Sequence, residues 1–472
     1  MTANLTVDCS VEGVFEEDLT DYEAHVQTFM AAGFRGQQDQ TILLERLQGP
    51  VLLVGLGLRA HAVADTVRTA AATAGRALRH LTTARCTLAA KSMPGYAPEE
   101  VARAAAEGVT LGAYHFAGYK SSLATRTRWL SALGPKFGDL ESEGWAEGVQ
   151  IGTAVNFTRD LVNTPANILT PTALADHAET LARNAGMGFR RISGAELDSG
   201  AFGGIAAVGR GSAEPACLVE LTWGDPQQPP DLCLVGKGIT YDSGGLSLKS
   251  PESQIGMKND MGGAAAVLGA MMLVPLLAPS LRVKAVLPFA ENMPGGRATR
   301  PGDVVTMRNG RTVEILNTDF EGRLVLGDAL ALAAESGPGA IIDLATLTYA
   351  ATHALGERTA ALLGSDQTLI ERIERAAGVT GEPVWRLPMP RYLRPQILSQ
   401  VADLKNFPGA TTARTSTAAM FLREFVPASI PWAHLDLAGP AWSEEEYGVA
   451  SRGATGYGVR LLGQLLRTYA RG

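Results

Sequence analysis

The segment Pro230–Ile239, PDLCLVGKGI, decides how the second half of this chain folds. It has the pattern of a short apolar strand that ends in glycine and lysine. Two similar segments follow, RVKAVLPFA at 282–290 and GAIIDLATLT at 339–348, and apolar helical stretches at 263–277 and 324–336 separate the three. Strands that alternate with helices are typical of a mostly parallel sheet covered by helices on both faces. The sequence therefore predicts an α/β fold with a mixed, mostly parallel sheet sandwiched by helices.

A change in the sequence pattern along the 472 residues predicts two domains joined by a helix. Residues 1–145 mix short apolar strands with alanine-rich helices and predict a smaller α/β domain. Residues 146–166 predict a linking helix that ends near the turn signal Asn163-Thr164-Pro165. Residues 167–472 would form the larger domain, which contains the strand and helix alternation.

Composition and charge exclude several classes of protein. The apolar content of 46% and charged content of 19% are ordinary for a soluble globular protein. The net charge of −7 argues against a nucleic-acid-binding surface as the main function. The four cysteines are scattered, which suits a reducing cytosol and gives no thiolate metal site. The first residues lack a signal peptide pattern, and the apolar run 264–278 is shorter than the ~20 residues a bilayer needs. We expect a cytoplasmic protein without membrane contact.

Several common catalytic motifs are missing from the sequence. None of the seven histidines forms an HExxH pair, and there is no GxSxG elbow or Walker loop. Gly55-Leu56-Gly57 lacks the third glycine of a dinucleotide fingerprint, so a strand-to-helix turn is the favoured interpretation. His434, within PWAHLDLAGPAW, is predicted to be a structural, hydrogen-bonded histidine.

The stretch NTDFEGRLVL, 317–326, places Asp319, Glu321 and Arg323 at every second position. On a helix, Asp319 and Arg323 would pair at i,i+4 on a solvated face. In an extended chain, all three side chains would share one side. The spacing alone leaves both interpretations open.

A second concentration of charged residues follows the strand at 230–239, namely Lys237, Asp242, Lys249 and Asp260. Burying an ammonium group there costs several kcal/mol unless it is paired or loses its proton. Lysine–aspartate bridges and an aspartate helix cap could account for any one of these residues. Four of them near the C-terminal end of one strand favour a binding site, because open α/β sheets bind ligands at that end.

Together the two clusters contain three aspartates, one glutamate, two lysines and one arginine. Converging carboxylates raise one another's pKa unless cations intervene. Oxygen ligands suit Mn²⁺, Mg²⁺ or Zn²⁺, and two such ions about 3–4 Å apart could acidify a water between them. A desolvated lysine can lose its proton and become a neutral ligand, which gives Lys237 a role.

Several long segments carry a resemblance to a known family. VGKGITYDSGGLSLK, MKNDMGGAAAV, NTDFEGRLVLGDAL and HLDLAGPAW…GATGYGVRLL, with RDLVNTPAN and ENMPGGRATRPGDVV, are similar to signature segments of the leucyl aminopeptidase (cytosol aminopeptidase) family. The resemblance covers about residues 155–472. It implies that two divalent ions, Zn²⁺ or Mn²⁺, release an N-terminal amino acid from a peptide or dipeptide. It also implies a non-catalytic N-terminal domain, a catalytic C-terminal domain and a homohexamer.

The resemblance assigns roles to the charged residues. The tightly bound metal would be held by Lys237, Asp242, Asp260 and Glu321, and the exchangeable metal by Asp242, Asp319 and Glu321. Lys249 would polarise the scissile carbonyl and stabilise the oxyanion, and Arg323 would hold a bicarbonate that serves as general base. On this basis the acids of 317–326 would form one extended edge of the site, and the helical pairing of Asp319 with Arg323 is set aside.

Three residues depart from the family pattern. Phe320 stands where the family usually has alanine, and Ser250 stands where a proline is common; we have no functional account of Phe320. Tyr349 occupies the position of a glycine that lines the pocket for the first side chain of the substrate. The other walls would be Met257, Thr346, Leu347, Ala438 and Ala441.

A tyrosine at position 349 predicts a narrow first pocket, unless its side chain rotates out of the way. We therefore expect a preference for small or polar N-terminal residues, including dipeptides such as cysteinylglycine, over leucine. Two rival functions use the same scaffold, a DNA-binding regulator and a catalytically inactive structural homologue.

Overall fold

The structure is a computed structural model that describes residues 8–116, 119, 128–131, 139–199 and 202–470. It divides into two compact units. The first comprises Met1–Asn156 and Glu444–Arg452, and the second comprises Phe157–Ser443 and Gly453–Gly472.

The first unit contains a five-stranded sheet within its described residues, in the order β2-β3-β1-β4-β5, with only β2 antiparallel to its neighbour. The strands are β1 (Cys9–Val14), β2 (Thr41–Leu44), β3 (Val51–Gly55), β4 (Thr83–Cys86) and β5 (Arg128–Ser131). The helices are α1 (Val26–Ala32), α2 (Ala64–Leu78), α3 (Pro98–Gly112) and α4 (Asp139–Asn163), the last of which continues into the second unit. Small residues let α2 and α3 pack closely, since a Cβ atom on Gly112 would lie 2.0 Å from the carbonyl oxygen of Ala72.

The second unit is built on a larger sheet in the order β15-β14-β17-β13-β8-β10-β7-β6, with β9 paired to β10. Its strands, with those of two small sheets, are β6 (Gly188–Ser193), β7 (Cys217–Trp223), β8 (Leu232–Gly236), β9 (Gly238–Asp242), β10 (Val283–Asn292), β11 (Asp303–Thr306), β12 (Thr312–Ile315), β13 (Ile341–Ala345), β14 (Ala360–Gly364), β15 (Val384–Arg386), β16 (Leu404–Lys405), β17 (Trp432–Asp436), β18 (Trp442–Ser443) and β19 (Gly453–Ala454).

Helices of the second unit cover both faces of this sheet. They are α5 (Pro171–Ala185), α6 (Ala195–Asp198), α7 (Gly203–Gly209), α8 (Pro251–Gln254), α9 (Gly262–Leu277), α10 (Gly322–Glu335), α11 (Tyr349–Leu355), α12 (Gln367–Thr380), α13 (Arg414–Arg423) and α14 (Val459–Ala470). Helices α9 and α10 both pack on β8, β10 and β13, with α5 and α14 beside α9 and with α7 and α13 beside α10. Most strand pairs are parallel, which confirms the predicted α/β class with a mixed, mostly parallel sheet.

Every residue of β8, β13 and β17 is buried, as expected for central strands covered on both faces. These three neighbours run parallel, so their C-terminal ends meet at one edge of the sheet. Ligands bind at that edge in open α/β sheets. The predicted charged residues lie there because β8 leads into Lys237 and β9 ends at Asp242.

The segment 317–326 is not the extended edge predicted from the resemblance. Thr318 and Asp319 lie in a turn, and α10 begins at Gly322. Glu321 is the residue before the helix and already has helical dihedrals, φ −75° and ψ −36°. The turn is held by Asn406, whose side chain accepts the N–H of Leu316 at 2.9 Å and donates to the carbonyl oxygen of Asn317 at 2.7 Å. Contacts from a distant segment therefore override the local alternation.

Among the described residues, one helical stretch, Pro251–Leu277, is long and apolar enough to cross a membrane. Within it, 78% of the apolar window is buried inside the protein. This burial agrees with the expectation of a core helix, which is the role that α9 has against the central strands.

Candidate active site

An open cleft at the C-terminal edge of the central strands brings the predicted charged residues together. It encloses about 900 Å³, including its mouth. All predicted metal ligands and both predicted catalytic residues line it, namely Lys237, Asp242, Lys249, Asp260, Asp319, Glu321 and Arg323. Residues far apart in the chain therefore converge on one place.

Lys237 lies between two carboxylates at the bottom of the cleft. Its Nζ is 2.7 Å from Oδ1 of Asp260 and 2.9 Å from Oε1 of Glu321. It also donates to the carbonyl oxygen of Thr346 at 3.0 Å, while the Thr346 hydroxyl donates to Asp260 at 2.7 Å. Gly322 makes room for this ammonium group, because a Cβ atom there would lie 2.7 Å from the lysine Nζ.

Lys249 pairs with the other two acids. Its Nζ is 3.0 Å from Oδ2 of Asp242 and also forms an ion pair with Asp319. The turn between Asp242 and Lys249 depends on Gly244 and Gly245, whose φ angles of +87° and +63° are readily adopted by glycine alone. The turn aims both partners into the cleft.

The acids of this cluster retain free binding capacity. Carboxylate oxygens of Asp242, Asp319 and Glu321 lie within 4.8 Å of one another. Among the described residues, Oδ2 of Asp260 and Oε2 of Glu321 are buried without a hydrogen-bond partner. Buried unpartnered carboxylate oxygens are costly, and hard divalent cations prefer oxygen ligands. This donor set therefore fits divalent metal ions.

The pKa shifts show how strongly burial and neighbouring charges act on the groups of this cluster. Burial raises the pKa of Asp260 to about 8, although Lys237 acts in the opposite direction. Burial, helped by the charges of Asp242 and Glu321, raises the pKa of Asp319 to about 7. Burial alone would lower the pKa of Lys237, but Asp260 and Glu321 outweigh it and raise that pKa. Without a metal, Lys237 therefore keeps its proton, and desolvation by itself does not produce a neutral amine.

Arg323 is buried next to this cluster, and its guanidinium is packed on aromatic rings. Its Cζ lies 4.7 Å from the ring centroid of Phe320 and 5.9 Å from that of Phe421. Within the described residues, its Nε and Nη1 are buried and have no hydrogen-bond partner. Burial lowers the pKa of Arg323 to about 10. A buried cation with unused donors is suited to hold an anion.

Phe320 lines the cleft. In an extended chain its side chain would instead point away from the acids on either side of it. Its ring lies edge-on to Phe407, with 4.9 Å between the centroids. The turn at Thr318 and Asp319 redirects the side chain of Phe320 towards the guanidinium of Arg323. The position of Phe320 therefore has the same cause as the loss of the extended edge.

The predicted pocket walls are partly brought together. Met257, Thr346, Leu347, Tyr349 and Ala438 line the cleft, and the Tyr349 hydroxyl lies 3.9 Å from the sulfur of Met257. Ala441 does not line it and is only 7% exposed. Ala441 instead lies near the start of α9, where a Cβ atom on Gly262, the first residue of that helix, would lie 3.5 Å from the Cβ of Ala441.

Two other sequence expectations concern single side chains. His434 is buried, and its Nδ1 lies 2.5 Å from Oδ1 of Asp343, so it is the hydrogen-bonded histidine that the sequence predicts. Ser250 has a structural explanation, because its Oγ accepts the N–H of Ser253 at 3.2 Å and caps α8. A serine is a favoured residue at that position.

Both parts of the chain match domains of one known protein family. Residues 156–463 match the catalytic domain of the cytosol aminopeptidase family, and residues 19–123 match its N-terminal domain. The chain belongs to the cytosol aminopeptidase family.

Individual relatives agree with this membership. A probable cytosol aminopeptidase from Roseiflexus castenholzii is 43% identical over 428 residues, covering 89% of this chain and 87% of that protein. The solved structure of "Bottromycin maturation enzyme BotP in complex with Mn" has a TM-score of 0.90 and 42% identity, covering 98% of this chain and 100% of that one. A cytosol aminopeptidase from Coxiella burnetii has a TM-score of 0.86 and 31% identity, covering 100% and 99%.

As a member of the cytosol aminopeptidase family, the chain is a metalloexopeptidase, a hydrolase that removes N-terminal residues from peptides. The acidic cluster of the cleft agrees with the metal dependence of this class.

Sequence reasoning missed three residues that shape the aminopeptidase cleft. Asn292 donates to Oδ1 of Asp242 at 2.8 Å and to the carbonyl oxygen of Thr318 at 3.0 Å, which ties the two clusters together. Asp436 holds the loop after β13, and Arg414 lines the cleft beside Phe320. Asn292 and Asp436 lie inside segments that carried the family resemblance. No local signal marked Arg414.

Proposed function

We propose that this aminopeptidase binds two divalent ions in the cluster of Lys237, Asp242, Asp260, Asp319 and Glu321 and acts on peptides and dipeptides with a small or polar first residue. The observation that carries the metal assignment is the pair of buried, unpartnered oxygens on Asp260 and Glu321. The ammonium groups of Lys237 and Lys249 each pair with two of these acids.

The ligand roles follow the resemblance, residue by residue. Lys237, Asp242, Asp260 and Glu321 would hold the tightly bound ion, and Asp242, Asp319 and Glu321 the exchangeable one. When bound, the two ions, Zn²⁺ or Mn²⁺, would supply the charge that anchors the substrate amine and activates water. Lys237 would release its proton as it becomes a ligand, because binding requires the free amine.

The catalytic roles proposed for Lys249 and Arg323 are supported by their contacts in the cleft. Lys249 borders the cleft beside Asp242 and Asp319, from where its ammonium group would stabilise the developing oxyanion. Arg323 would hold a bicarbonate that accepts a proton from water. This role is supported by its unpartnered Nε and Nη1 and by the rings that keep its guanidinium in place.

The first-residue preference is supported by the position of Tyr349. Its side chain lines the cleft with Met257, Leu347 and Ala438, and its hydroxyl reaches to 3.9 Å from the Met257 sulfur. A phenol ring in that space leaves less room for a leucine side chain than glycine would. Small or polar first residues, as in cysteinylglycine, would be less affected by the reduced volume of the pocket.

The function is tested by hydrolysis of a dipeptide panel with added Mn²⁺, in the wild type and in Lys249→Ala and Glu321→Ala. We expect metal-dependent release of the first residue in the wild type. Loss of one oxyanion-stabilising donor should lower kcat by about 10²- to 10³-fold, and Glu321→Ala should also lower the Mn²⁺ content of the protein. Full activity in either variant, or activity in excess chelator, contradicts the proposal.

The pocket is tested by kcat/KM for Ala-, Cys- and Leu-terminated dipeptides in the wild type and Tyr349→Gly. We expect the wild type to favour Ala and Cys, and the variant to gain about 10-fold on Leu relative to Ala, the size of effect known for a change of hydrophobic pocket volume. If leucine is already the best substrate and the substitution changes nothing, the pocket argument is wrong.

Assembly and location stay proposals. We infer a homohexamer from the family resemblance and a cytoplasmic location from the relatives named cytosol aminopeptidases. Light scattering of the purified protein would check the oligomeric state. The net charge of −7 weighs against a DNA-binding role.

A further inference from the structure

Among the described residues that line the cleft, Arg414 is the one charged residue without a role in the reaction proposed above. Its Nε donates to the carbonyl oxygen of Ala410 at 3.2 Å, which orients the side chain. In the described part of the chain, no carboxylate pairs with the two terminal nitrogens of its guanidinium. Arg414 is therefore a partly buried cation that faces the substrate space with free donors.

Phe320 links Arg414 to the reacting region. The Cζ atoms of Arg323 and Arg414 lie 4.7 Å and 5.7 Å from the Phe320 ring centroid, so two guanidinium groups share one ring. Phe407 lies 6.0 Å from the Arg414 Cζ and completes the aromatic wall. Arg323 is buried, whereas Arg414 is only partly covered.

The walls assigned to the first residue are carried by other elements of the fold. Tyr349 begins α11 and Met257 lies on the 3₁₀ turn before α9, whereas Phe320 precedes α10 and Arg414 begins α13. With the first residue of the substrate against Tyr349 and Met257, the part of the cleft bordered by Phe320 and Arg414 would be open to the residue that follows the scissile bond.

We propose that Arg414 binds a carboxylate carried by the second residue of the substrate, and so selects dipeptides with a free C-terminus or peptides with Asp or Glu second. The inference rests on the proposed aminopeptidase function. A guanidinium offers paired N–H donors that match a carboxylate. In a partly dehydrated cleft such a charge-assisted contact is stronger than in water. Neutral second residues would leave the arginine without a partner.

The test measures kcat/KM with Mn²⁺ for four peptides: Ala-Gly, Ala-Gly-amide, Ala-Glu-amide and Ala-Gln-amide. In the wild type we expect the carboxylate member of at least one pair to be favoured by about 10- to 100-fold, as for a hydrogen bond to a charged group. A preference within the first pair identifies the C-terminal carboxylate, and one within the second pair identifies the acidic side chain.

Variants of Arg414 separate recognition from structural support. Arg414→Gln should bring the favoured ratio close to one, and Arg414→Lys should keep part of it. Arg300→Gln removes an exposed guanidinium that pairs with Asp303 outside the cleft, and it should leave the ratio unchanged. Thermal unfolding of each variant reports whether it is folded, and Arg414→Lys carries the comparison if Arg414→Gln is not.

Four results overturn the inference, and the last of them overturns the proposed function as well. Wild-type ratios near one in both pairs do so without any variant. An equal loss on carboxylate and amide peptides in Arg414→Gln would mean that Arg414 acts on something common to all substrates. An unchanged ratio in both Arg414 variants would also overturn the inference. Failure of the wild type to hydrolyse any of the four peptides would contradict the proposed function together with the inference. Hydrolysis with ratios near one would contradict the inference alone.

Discussion

At the scale of single residues, the cleft concentrates opposite charges that have little contact with water. Asp260 and Glu321 share the ammonium group of Lys237, and Asp242 and Asp319 share that of Lys249. A buried ion pair costs desolvation energy that its attraction must offset. The arrangement is therefore poorly suited to stabilise the fold, which agrees with the proposed role of these acids as metal ligands.

This charge arrangement predicts the stability of the metal-free enzyme against pH. The folded pKa values of Asp260, about 8, and Asp319, about 7, both lie above the ordinary value of 3.8. Between the ordinary and the folded pKa values, the folded state keeps protons that the unfolded chain has released. The stabilisation that these two carboxyl groups give to the folded state is therefore complete below pH 4 and is lost by about pH 8. With chelator present, the urea midpoint should therefore fall as pH rises from 5 to 8.

Asp319→Asn is the matched control for that measurement, because it removes one of the two titrating groups and keeps a similar shape. With chelator present, the urea midpoint of Asp319→Asn should fall less steeply with rising pH than that of the wild type. Addition of Mn²⁺ should raise the midpoint most at pH 8, where metal binding competes with the fewest protons. A chelated wild type that becomes more stable from pH 5 to 8 contradicts this account.

At the scale of elements, the loop between β13 and α11 depends on one carboxylate. Asp436, at the end of β17, accepts the N–H groups of Leu347 at 3.1 Å and Thr348 at 3.3 Å, and the Thr348 hydroxyl at 2.6 Å. The same loop leads directly into Tyr349, the first residue of α11. The position of the proposed first-pocket wall is therefore set by a neighbouring strand.

Asp436→Asn should disturb the loop, because the amide nitrogen cannot accept the hydroxyl that Oδ2 accepts. We expect a loss of about 1–3 kcal/mol in the free energy of unfolding and a weaker preference for Ala over Leu at the first position. Urea unfolding and kcat/KM for Ala- and Leu-terminated dipeptides would measure both effects.

Asp366→Asn serves as the comparison for Asp436→Asn. Asp366 accepts the N–H of Leu369 at 2.8 Å as the cap of α12, and it does not line the cleft. It should cost some stability and leave the first-residue preference unchanged. Equal preference in wild type and Asp436→Asn would show that the loop keeps its position without the carboxylate.

The segment 317–326 shows where prediction from local spacing fails. Alternating acids fit both an extended chain and a helix, and the actual turn followed by α10 is neither alone. Asn406, some 90 positions along the chain, makes the hydrogen bonds that hold the turn. The central strands were easier to predict, since continuous apolar runs between glycines and charges are typical of strands buried on both faces.

At the scale of the whole molecule, every described residue that lines the cleft belongs to the second unit, Phe157–Ser443 with Gly453–Gly472. This agrees with the match of residues 156–463 to the catalytic domain of the family. The first unit matches the N-terminal domain of the family, and the homohexamer stays a prediction.

The sequence by itself determined the α/β class, the family and the residues of the charged cluster, because long ordered motifs and apolar runs are local properties of a chain. Only the tertiary structure decided the turn at Asp319, the burial of Ala441 near the start of α9 and the contact between Phe320 and Arg414. Those features depend on contacts between segments tens of residues apart, whose energies outweigh local preferences in a packed interior. Spacing along the chain carries no record of such contacts.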